Sequence, residues 1–142
     1  MKWLRLLASL CVAPLLYGLL CLPLLGWWLS LFPNKVNDLG GTFHLPLVVS
    51  VEALQAVVLL LCGMAVAMVG GIGPWQRVCM VAATLDMLVI GVMVQRQFWE
   101  ALPLWHHWIF FLLILVMMPL GGIVTRHVRA KLGGASSPAG LN

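Results

Sequence analysis

Glu52, Gln55 and Asp86 are the residues of this chain whose chemistry is hardest to reconcile with their surroundings, because each stands inside a long apolar run. A carboxylate in hydrocarbon costs about 2.5–3.5 kcal/mol on insertion scales, so it should face the interior of a helical bundle. Two kinds of chemistry suit such groups. They can bind a cation or relay protons, or they can hydrogen-bond a neighbouring helix at about 0.6–2 kcal/mol per contact. The second use is the commoner one, and the sequence favours it.

Three histidines form the next candidate set. His44, His106 and His107 fall at one rim of the predicted helices, among Trp99, Trp105 and Trp108. Imidazoles from two helices at one depth are what a haem b site needs, and the same residues are possible copper or zinc ligands. Adjacent His106 and His107 are not expected to face inward together. A wet aromatic belt is the favoured reading, with no resident metal or cofactor. Cys11, Cys21, Cys62 and Cys79 include no CxxC pair, so neither a disulfide framework nor a thiolate zinc site is expected. The methionines are scattered, as flexible core filler would be. No Ser–His–Asp or Cys–His arrangement suggests an enzyme. Nothing beyond a few basic residues near the end of the chain speaks for nucleic acid.

The elements that must position these residues follow from composition. The chain has 142 residues, 63% of them hydrophobic and 8% charged. No soluble domain of this size hides that much apolar surface, so the solvent is lipid. Runs of about 20 apolar residues read as membrane-spanning helices. They fall at about 6–31, 45–70, 78–94 and 108–124, with a flexible tail at 133–142. The predicted fold class is an all-α integral membrane protein, a four-transmembrane-helix bundle forming one domain over 1–132. The first run is too long for a secretory signal and has no small-x-small cleavage site before Trp27, so it is kept as a helix.

Charge sets the expected orientation. Lys2, Arg5, Arg77, Arg126, Arg129 and Lys131 fall on one side, against Lys35 and Arg96 on the other. The positive-inside rule then puts both termini in the cytoplasm of a bacterial inner (plasma) membrane.

Projection at about 100° per residue gathers Glu52, Gln55, Ala56, Leu59, Gly63, Ala67 and Gly70 on one face of the second helix. Gly63, Ala67 and Gly71 form a small-xxx-small series that admits another backbone. Asp86 shares a face of the third helix with Cys79, Ala82 and Ala83. At about 1.5 Å per residue, Gln55 and Asp86 both come out near mid-membrane. Helices two and three are therefore expected to pack together, with Asp86 near Glu52 and Gln55.

The leading functional expectation is a small multi-pass membrane protein acting through helix association, as an accessory subunit or homo-oligomer. Its partners would be the lipid bilayer and another membrane protein or itself. A proton- or cation-coupled transporter component using Glu52 and Asp86 is the first alternative. A haem- or quinone-binding membrane anchor of a redox complex, resting on the rim histidines, is the second.

Overall fold

Apolar stretches of this length can satisfy their backbone groups without water by closing the internal hydrogen-bond ladder of a helix. The computed structural model, which describes residues 1–36 and 42–135, follows that rule. Its helices are α1 Lys2–Ser30, α2 Leu45–Gly70, α3 Pro74–Gln97 and α4 Leu104–Ala135, with one 3-10 turn at Pro33–Lys35. The four helices are long and apolar enough to cross a membrane, and the described residues contain no strand.

Three boundaries differ from the sequence reading. α1 starts at Lys2 and runs unbroken through Pro14 and Pro23. α3 starts at Pro74, because a proline in the first turn has its φ preset and needs no hydrogen-bonded N–H. The α2–α3 turn before it uses Gly71 (φ 82°) and Gly73 (φ 92°), a region that glycine enters without steric cost. α4 starts at Leu104, one residue after Pro103, and stays helical to Ala135. Residues 133–135 of the predicted tail are therefore helix, and the rest of it lies outside the described residues.

The chain runs up and down, so α2 and α4 are parallel. Adjacent pairs are α1 with α2, α2 with α4, α4 with α3 and α3 with α1, while α2 also touches α3. The most extensive contact is between α2 and α4. α2 and α3 do pack together as expected, but the main partner of α2 is α4. The reason is a glycine-mediated approach of two backbones. A Cβ on Gly63 would collide with the Met118 backbone, and one on Gly121 would collide with the Leu60 carbonyl. Thr125 Oγ1, which donates to the Gly121 carbonyl of its own helix at 2.9 Å, also lies 3.5 Å from the Met64 carbonyl across the interface. The core around this seam is formed by Leu59, Val66, Met87, Phe110, Ile114 and Met118. α1 buries only Ser9, Ala13 and Cys21. It is held to α2 in part by a Cys62 Sγ contact on the Ala13 carbonyl at 3.5 Å.

Each end of the bundle is tied by polar contacts. At the basic end, Arg129 donates to the Gly71 carbonyl at 2.9 Å and the Met68 carbonyl at 3.2 Å. It thereby satisfies orphan carbonyls of α2 and puts a cation at the negative end of that helix. Trp75 Nε1 donates to the Lys2 carbonyl at 3.0 Å, joining α3 to α1. At the opposite end, Trp28 Nε1 donates to Ser50 Oγ at 2.8 Å, and Ser50 donates on to the Leu47 carbonyl at 2.7 Å.

The two glycine contacts make a direct prediction. Gly63→Val or Gly121→Val forces α2 and α4 apart and should cost about 1–3 kcal/mol or more, read as a lower unfolding midpoint in detergent. Gly18→Ala and Gly26→Ala, whose added Cβ would meet nothing within 4 Å, should leave that midpoint unchanged or slightly raised.

Candidate functional site

The polar residues that the fold gathers lie at the end of the bundle opposite the basic one. α4 brings His106 and His107, α2 brings Glu52 and Gln55, and α3 brings Gln95. His106 is 0% exposed, His107 1%, Glu52 8%, and Gln55 and Gln95 5% each. This overturns the expectation of wet rim histidines. The physical reason is the width of a buried helix face. On α4 the buried line runs through Phe110, Ile114 and Met118. His106 lies about 40° to one side of Phe110 and His107 about 60° to the other, so both fit in a stripe about 100° wide. The earlier helix start at Leu104 supplies the turn on which they sit.

The contacts within the cluster are specific. His106 Nδ1 lies 2.5 Å from Glu52 Oε1, an ion-pair approach without hydrogen-bond alignment. His107 Nδ1 is hydrogen-bonded to Gln95 Oε1. An amide oxygen only accepts, so that nitrogen carries the proton. Trp99 stacks on the His107 ring, with centroids 4.6 Å apart and planes 10° from parallel. The two imidazoles meet edge to face at 5.6 Å.

Beside the cluster lies a cavity of about 230 Å³, lined by Tyr17, Thr42, Gln55, Gln95, His106 and Phe110 among others. Thr42 closes one side and is fixed by its hydroxyl, which donates to the Lys35 carbonyl at 2.6 Å and accepts from His44 N at 3.1 Å. Buried polar atoms in folded proteins are nearly always paired, and exceptions call for an explanation. Among the described residues, the buried side-chain atoms without a hydrogen-bond partner are Ser9 Oγ and atoms of Glu52, Gln55, His106 and His107. The exceptions are thus concentrated in this cluster. Beyond the Glu52 Oε1–His106 Nδ1 pair, Oε2 of Glu52, Nε2 of His106, Nε2 of His107 and Oε1 of Gln55 have no partner of any kind among the described residues.

Other predicted site residues fall elsewhere. Asp86 does not join Glu52 and Gln55. It precedes Gln95 by nine positions on α3, about 13 Å along the helix, and it is half-buried on the flank of the packed face. No hydrogen bond or ion pair ties it to another described residue. The buried face of α3 instead follows Cys79, Ala83, Met87, Gly91 and Gln95. His44 is exposed next to the start of α2, and it is not brought into the cluster. Among the described residues no group of three His, Cys, Asp or Glu side chains is placed to hold a metal ion. His106 and His107 are neighbours on one helix, so they cannot supply opposed axial ligands to a haem. Of the small-residue series, Gly63 and Ala67 are buried. Gly71 lies beyond α2, beside the Arg5 guanidinium. Gln95 is a site residue that the sequence does not single out, although the four-residue steps from Met87 to Gly91 to Gln95 are a readable signal of a shared helix face.

No family model, no characterised protein and no solved structure matches the chain. The cluster therefore has to be read from its own chemistry. It offers a carboxyl, two imidazoles and two amides, shielded by Trp99 and open to a small cavity. Such a set can accept, hold and return protons, and it can hydrogen-bond a small polar group.

The pairing within the cluster is testable by stability. Glu52→Ala leaves His106 buried without its partner and should lower the unfolding free energy by about 1–3 kcal/mol. Glu52→Gln keeps an acceptor in place and should cost less, measured by chemical denaturation in detergent.

Proposed function

We propose that this chain is a four-span membrane protein whose buried Glu52–His106 pair exchanges protons, as a component of a proton-coupled transport process. The observation that carries this reading is the concentration of unpartnered buried polar atoms on Glu52, Gln55, His106 and His107 beside one cavity. Ionisable groups inside a membrane bundle are costly and mark proton or substrate paths by default. An acid and an imidazole in contact can pass a proton between them and remain one neutral or one charged unit. Gln55 and Gln95 would orient the pair and the second imidazole, and Trp99 would limit entry from the rim. The excess of Lys and Arg at the opposite end supports a cytoplasmic location for both termini under the positive-inside rule. The cluster would then open toward the outer leaflet of a bacterial plasma membrane.

The test is infrared difference spectroscopy on reconstituted protein as pH is changed. A protonated-carboxyl band that responds to pH should vanish in Glu52→Gln and shift in His106→Gln. Liposomes containing the wild-type protein should also dissipate an imposed proton gradient faster than those containing Glu52→Gln. A carboxyl spectrum that ignores pH, together with equal gradients in all samples, would remove this reading.

Asp86 favours a second reading, association with another membrane helix or with a second copy. A half-buried acid about midway along a membrane span lacks a described partner and would gain from a donor on a neighbouring chain. If so, Asp86→Leu should lower the yield of cross-linked oligomer or co-purified partner without changing the unfolding midpoint of the isolated chain.

A further inference from the structure

The basic end carries a second feature, unconnected with the histidine cluster. Two clefts meet between α3 and α4. One, of about 430 Å³, runs up an apolar wall that includes Val81, Leu85, Leu115 and Pro119. The other, of about 610 Å³, opens at the helix ends beside Arg129 and Gly73. Gln76, Arg77 and Arg126 line both, so cations stand where an apolar slot meets a polar mouth. Sequence explains the slot. Pro119 and Gly122 bring no long side chain to this side of α4, and Gly122 faces Met80 of α3 closely enough that a Cβ would lie 3.1 Å from its terminal carbon.

Among the described residues no acid compensates the charge at this mouth. The described acids Glu52, Asp86 and Glu100 lie midway along the helices or toward the opposite end. Arg129 is held by two α2 carbonyls. Arg126 uses only Nε, on the Gly122 carbonyl at 3.4 Å, and its two terminal nitrogens stay available. Arg77 makes no described hydrogen bond or ion pair and is exposed. It also sits in the first turn of α3, where free backbone N–H groups add positive potential. Two guanidiniums at one mouth match a phosphate in a forked, charge-assisted geometry that lysine does not provide.

We propose that this cleft is a binding site for one anionic phospholipid, with its phosphate held by Arg77 and Arg126 and an acyl chain lying in the slot along Val81, Leu85 and Leu115. The inference rests on the reading of α3 and α4 as membrane spans, but not on proton exchange at the other end. The amphipathic shape selects a lipid over a free anion, because a phosphate alone would leave the apolar slot unused. Basic pockets between spans on the cytoplasmic side are a recurrent form of headgroup recognition.

The experiment uses the full chain in mild detergent, titrated with dioleoylphosphatidylglycerol or dioleoylphosphatidylcholine, with bound lipid counted by native mass spectrometry and unfolding followed in parallel. The expected result is one phosphatidylglycerol retained in preference to phosphatidylcholine, with a raised unfolding midpoint. Arg77→Gln with Arg126→Gln should weaken that binding roughly thirtyfold. Leu85→Trp, which fills the slot and keeps the charges, should abolish it as well, and Lys35→Gln at the far end should change nothing. Equal retention of both lipids, or a preference that survives the double arginine change, overturns the proposal. If glycerol phosphate raises the midpoint as much as the whole lipid does, the site takes a free anion and the proposal fails. Failure of the membrane reading itself is distinguishable, because the chain would then not incorporate into liposomes at all.

Discussion

The close approach of α2 and α4 at Gly63 and Gly121 is the constraint on which the rest of the structure depends. It lets two parallel helices meet backbone to backbone, a geometry that any side chain at those positions would prevent. Parallel packing also fixes register. Glu52 precedes Gly63 by eleven positions on α2, and His106 precedes Met118 by twelve on α4. The contact that sets Gly63 against Met118 therefore sets Glu52 against His106. A polar pair and an apolar seam are two readings of one alignment.

The polar cluster is built from pieces with separate structural reasons. Pro103 lets α4 begin early enough for both histidines to be helical. The arc of the buried stripe then takes both rings inward. Gln95 ends the packed face of α3 and holds one ring, while Trp99 stacks on that ring from beyond the helix. Dispersion and stacking keep the cluster in place, yet its hydrogen-bonding capacity is not used up. An interior that is densely packed and at the same time polar and under-satisfied is the combination expected of a site that takes up and gives back protons.

The two ends of the bundle divide the charge between them. The basic end uses Arg129 to close α2 and leaves Arg77 and Arg126 facing a cleft. The other end holds Glu52, Glu100 and the inward histidines. Such a division makes the two ends of the bundle chemically distinct. Between them, Asp86 is an acid that no described residue of the bundle satisfies.

By itself the sequence determined the class of the protein. The length and apolarity of four runs leave helices as the only economical answer, and the boundaries of α2 at 45–70 were legible because His44 with Pro46 opens it and Gly71 closes it. Glu52 and Gln55 could be picked out for the same reason, since a polar residue in an apolar run has no local explanation. What only the tertiary structure decided was pairing. Periodicity gives a residue an angle on its own helix but says nothing of which helix lies opposite. Asp86 and Glu52 each sit among small residues, so the sequence treated them as partners, whereas the packing gave Glu52 to His106. Adjacent histidines looked incompatible with a single inward face until the width of the α4 contact surface and its earlier start were known. Those quantities arise from how helices press on one another, and they are not written in any one of them.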